Sequence, residues 1–71
     1  FVTQLADELA KDALEAEAEL DDDRLIDQLS NTLRASSMTL QEAFMTSVRI
    51  RRSEMAGRKW LAARIAKAKA E

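Results

Sequence analysis

Cysteine and histidine are both missing from this sequence, and with them go disulfides, thiolate and imidazole zinc sites, and the usual nucleophilic and acid-base constellations. Proline is also absent and glycine occurs once, at Gly57, so almost nothing forbids helix along the whole length. Aromatic residues are scarce: Trp60, Phe1 and Phe44 are the only three. No Gly-rich phosphate loop is present. There is no 18-residue apolar run of the kind that spans a bilayer, and the expectation is that no signal peptide is carried. The expectation is a soluble, cytoplasmic chain without cofactor, metal, small-molecule substrate or enzymatic activity.

What the sequence does have is Ala, Leu, Glu, Lys and Arg in abundance, and a charge that changes sign along its length. The formal total of −2 conceals a front portion, residues 1–42, with eleven acids against three bases, and a rear portion, residues 43–71, with eight bases against two acids. Such a division suits either two segments that fold on one another or two surfaces that meet oppositely charged partners. A chain of 71 residues buries only about 60% of its unfolded surface, so its own core is marginal. With disulfides and metals excluded, association with another chain is the remaining means of stabilisation.

The predicted architecture is all-α: a single small domain, residues 1–71, of two short N-terminal helices and one long C-terminal helix, arranged as a helical hairpin, a small bundle or an extended unit. The first helix is expected over residues 3–19, with Thr3 as N-cap and Leu5, Leu9, Ala13, Ala16 and Leu20 tracing one face. Asp21, Asp22 and Asp23 then supply cap and dipole partner for a second helix, residues 22–35, with Leu25, Ile26, Leu29 and Leu33 inward. A calcium loop begun at Asp21 fails, because Ile26 stands where glycine is required and Thr32 where the bidentate glutamate belongs. Glu15, Glu17 and Glu19 alternate and so form a charged edge rather than a converging site. Thr39 followed by Glu42 reads as a capping box, with Met38 as staple, opening a third helix over residues 39–69. Gly57, worth about 1 kcal/mol against alanine in a helix, marks where that helix would kink or split.

Around the third helix, Leu40, Ala43, Phe44, Val48, Met55, Leu61, Ala62 and Ile65 share one side, and Arg51 and Arg58 project from its middle. Each guanidinium must either reach water or meet a carboxylate of another surface, and in the second case it would fix the register of docking. Trp60 falls on the other side among Arg49, Arg64 and Lys67, where a cation–π contact with Arg64 is one use and an interface anchor another. The candidate partner-binding set is therefore Leu40, Phe44, Val48, Arg51, Met55, Arg58, Trp60, Leu61, Arg64 and Ile65.

In size, acidity and helical character the chain resembles the small chaperones of bacterial secretion systems, a likeness of composition alone. The expected function is an adaptor or chaperone-like partner that lays its long amphipathic basic helix on a client protein or a second helical chain. A nucleic-acid-binding helical dimer is the alternative. The turn before the third helix lacks glycine, however, and that helix opens with Leu40, Gln41 and Glu42 rather than base-reading side chains. Self-association is a third arrangement, the acidic and basic halves of two copies pairing antiparallel as a homodimer. A membrane surface fits poorly, since the two halves would oppose each other on an anionic bilayer.

Overall fold

The computed structural model describes residues 1–70 and is helical almost throughout. Helix α1 spans Val2–Leu20, α2 spans Leu25–Ser36 and α3 spans Met38–Ala70. The all-α architecture of two shorter N-terminal helices and one long C-terminal helix is thus present, and α3 runs unbroken through Gly57 and is not split into two helices there.

The connections differ from the expected caps. Helix α1 starts at Val2 with Phe1 at the N-cap position, so the Thr3 hydroxyl caps nothing. It ends where Asp21 adopts a left-handed conformation, φ 50°, and the amide of Asp22 donates back to the Glu17 carbonyl at 3.1 Å. That geometry satisfies the last carbonyls, and a short polar Asp tolerates it better than a branched residue would. Asp22 and Asp23 form a turn rather than the first turn of α2. The Asp22 carboxylate accepts from the amide of Arg24 at 3.0 Å, and α2 begins only at Leu25. The capping box at Thr39 gives way to Ser37, which alone separates α2 from α3 in an extended conformation. Its hydroxyl accepts from the Leu40 amide at 3.2 Å, so Ser37 caps α3 two residues earlier. Met38 is exposed and staples nothing.

The core is small and asymmetric. Ala6, Ala10 and Ala13 of α1, Ile26 of α2, and Phe44 and Val48 of α3 are buried, with Leu9, Leu14, Leu25, Leu29, Leu33, Leu40, Ala43 and Met45 packed around them. The buried face of α1 is thus an alanine row: of the expected stripe Ala13 is buried, Leu9 packs beside it and Ala16 is half-buried, while Leu5 and Leu20 at its two ends are exposed. Alanine every third or fourth residue lets two helix backbones approach closely, and Ser47, buried on α3, is equally small. Between α2 and α3, the Gln41 side-chain amide donates to the hydroxyl of buried Ser30 at 2.8 Å.

All of this packing involves only the first half of α3. Every residue from Arg52 to Ala70 is exposed. The chain measures 54 × 26 × 13 Å with a radius of gyration of 15.2 Å, against about 11 Å for a compact domain of this length. The long axis is close to the length of α3, about 50 Å at 1.5 Å per residue. A helical head, residues 1–51, therefore carries a protruding helical arm, residues 52–70.

Candidate functional site

The surface expected to bind a partner is divided by the fold. Phe44 and Val48 lie inside the head and Leu40 is partly covered there, so this portion of the α3 stripe packs on α1 and α2 of the same chain. Arg51 sits at the boundary. Its Nε and Nη2 donate to the two carboxylate oxygens of Asp7 at 2.9 and 2.8 Å, a bidentate pair across 44 positions of sequence. Those hydrogen bonds hold the Asp7 carboxyl below its ordinary range against the opposing effect of burial, and they raise Arg51. Arg52 reaches Glu17 at 3.0 Å. Asp7 and Glu17 are about 15 Å apart along α1, and they grip neighbouring arginines at the crossing of α1 and α3 where the arm begins.

Beyond this crossing the stripe continues without cover. Met55 is 52% exposed, Leu61 53%, Ile65 46% and Trp60 67%. Arg58 donates to Glu54 one turn earlier on the same helix, a bond that raises Arg58 and neutralises the only acid of the arm. Arg64 is exposed. The ten expected residues thus separate into three on the head, Arg51 at the junction and six on the arm.

Charge follows the same division. Residues 52–70 carry six bases against Glu54, a net of +5, while residues 1–51 carry eleven acids against five bases, a net of −6. On α1, Glu8, Asp12, Glu15 and Glu19 are all exposed and recur at intervals of four, three and four, which places them in one row opposite the buried alanines.

One concave feature accompanies the arm. At its root a groove of about 490 Å³ opens between the C-terminal half of α1 and α3, with Leu14, Ala18 and Met55 as its apolar lining and Glu15 and Glu54 among the charged residues around it. A second recess of about 380 Å³ shares Glu17, Ala18 and Arg52 with the groove and extends to Asp21, Asp22 and Asp23. The groove was not legible from the sequence, because Leu14 and Ala18 lie off the stripe expected for α1. Among the described residues no group of three or more acidic side chains converges as a metal site, and no helix is long and apolar enough to cross a membrane. No protein-family model, curated protein or solved structure matches the chain.

Proposed function

We propose that the chain is a non-enzymatic protein–protein interaction module, an adaptor whose free arm docks in an apolar, acid-edged groove of a protein partner. The supporting observation is the run of exposed residues from Arg52 to Ala70, which carries Met55, Leu61 and Ile65 on a helix of net charge +5. Apart from the Arg52–Glu17 pair at its root, the side chains of the arm lie exposed, so packing within the head does not account for its apolar residues. Helix-in-groove recognition reads anchors at such positions, and the surrounding bases select a partner surface of opposite sign. Phe44, Val48 and Leu40 build the head, and Arg51, locked to Asp7, fixes the angle at which the arm leaves it.

The test compares the untagged chain, purified from its source under native conditions, with the Leu61→Asp/Ile65→Asp variant, each followed by light scattering. The chain is expected to elute in a complex and the variant alone. Identical elution of the two would remove the arm from the mechanism.

One observation favours nucleic acid as a second reading. The arm tip lies about 27 Å along α3 from the head, well beyond the screening length of about 8 Å at physiological ionic strength, so the acidic head does not mask Lys67 and Lys69 from a phosphate chain. Salt discriminates: a phosphate-bound arm loses affinity with a log–log slope of about −0.9 per phosphate, whereas a complex seated on Leu61 and Ile65 changes little.

A further inference from the structure

We infer that the side of α3 which carries Trp60 binds single-stranded nucleic acid, one base stacking on the indole while neighbouring phosphates meet Arg49, Arg64 and Lys67. This goes beyond the docking reading above, because Leu61 and Ile65 lie about 100–140° round the helix from Trp60 and stay available to a protein. It also asks more than the attraction of phosphates to a basic tip, since it names a stacking ring and the kind of strand that can use it.

The arginines of α3 divide in a way that selects this side. Arg51 is held by Asp7, Arg52 by Glu17 and Arg58 by Glu54. The other two, Arg49 and Arg64, are exposed and have no carboxylate partner among the described residues. At 3.6 residues per turn both fall within about 40° of Trp60 and Lys67 within about 20°, whereas the three paired arginines lie about 80° or more away. Unspent positive charge and an indole 67% exposed therefore coincide on one line.

That line runs clear of the acidic helices. Phe44, Ser47 and Val48, the buried residues of α3, lie about 120–160° from it. From Arg49 to Lys67 it extends about 27 Å, room for about eight nucleotides at 3.4 Å each, and every charged residue on it is positive. The remaining positions within about 40° of Trp60 are Ser53 and Ala56, so a protein groove would find one anchor here rather than the several that helix recognition uses. A base needs only one flat ring. Ala56 and Gly57, one turn before the indole, give it no bulky cover, and the space beside Gly57 is open. Bases of a duplex are already stacked on one another, so an unpaired strand is the form that can present a base face to Trp60.

Trp60 is the only tryptophan, so its emission reports the contact directly. The full chain is titrated with oligothymidylate and oligouridylate of about twelve nucleotides, a DNA duplex of the same length, and polyglutamate. Single strands are expected to quench the indole, the tighter of the two identifying the sugar, while the duplex and polyglutamate leave the emission unchanged. With a labelled strand followed by anisotropy, Trp60→Ala should weaken binding roughly 5- to 150-fold, the loss of one base stack. Arg49→Ala/Arg64→Ala should reduce the log–log salt slope by about 1.4, or about 0.7 for each phosphate released. Lys59→Ala/Lys69→Ala removes the same charge from other sides of the helix and should reduce the slope far less. Leu61→Ala/Ile65→Ala should leave strand affinity unchanged. All of these positions are exposed, so the head survives, as circular dichroism would verify. No binding of either strand, binding that leaves the emission unchanged, or equal slopes in the two charge variants would overturn the inference. Quenching by the duplex or by polyglutamate as strong as by a single strand would overturn it too, as would a loss of strand affinity in Leu61→Ala/Ile65→Ala that matches Trp60→Ala. Failure of strand binding leaves the docking reading standing, because that reading is tested separately through Leu61 and Ile65 by light scattering.

Discussion

Cutting the chain after Gly57 puts the division between head and arm to a quantitative test. Residues Arg58 to Ala70 are exposed, so their loss takes no apolar surface from the core. Surface changes of this kind fall within about 0.5 kcal/mol. The contrast is Phe44→Ala, which empties the largest fully buried side chain and is expected to cost about 3–5 kcal/mol. A domain of this length has only about 4–11 kcal/mol in total, so that one substitution removes a large part of its stability. Urea titrations followed by far-ultraviolet circular dichroism at high dilution should therefore give nearly the same free energy for the truncated and full chains, and a far lower one for Phe44→Ala. A truncation as damaging as Phe44→Ala in the dilute limit would refute the reasoning, because it would mean that the arm is part of the folded head.

Three other changes have defined outcomes. The Asp7 carboxyl is depressed by its bond to Arg51, so the pair's contribution is present above the ordinary aspartate pKa of about 3.9 and is lost as the pH falls through the lower folded value; acid unfolding followed by circular dichroism should show this loss, and Asp7→Asn should abolish that segment of the pH dependence. Ser37→Ala should lower stability by about 1 kcal/mol through loss of the α3 cap, with Thr39→Ala nearly neutral in the same denaturation assay, the reverse of what the capping-box signature implies. Gly57→Ala meets open space and should slow amide hydrogen exchange in the arm by stiffening a helix interior by up to about 1 kcal/mol, while exchange in the head is unchanged.

Helix number, order and type were legible because propensity, the lack of proline and the aspartate run all point the same way. Residues near the caps were harder. Thr39 with Glu42 has the better signature, yet the Ser37 hydroxyl reaches the Leu40 amide first, and sequence spacing alone cannot rank two hydroxyls two residues apart. On α1 the leucines outrank the alanines in hydrophobicity, but small side chains let the backbones approach closely, so Ala6 and Ala10 join the expected Ala13 inside while Leu5 and Leu20 stay out. The stripe on α3 was readable as a stripe. Where its cover stops, between Arg51 and Arg52, was not, because it depends on how α1 packs on α3 and on the long-range pairs from Arg51 to Asp7 and Arg52 to Glu17. The excess of apolar and basic surface over what two short helices can hide was the part of the candidate site that composition and length did disclose.

The bond between Gln41 and Ser30 has a consequence for how the second helix is seated. Leucines tolerate slippage, since one greasy contact replaces another when a helix slides by a turn. A hydroxyl and an amide joined at 2.8 Å in a partly sheltered position do not, because a shift of one turn would strand both. This lone polar clasp therefore acts as a detent, fixing the longitudinal setting of α2 in an interface that is otherwise lubricated by interchangeable aliphatic side chains.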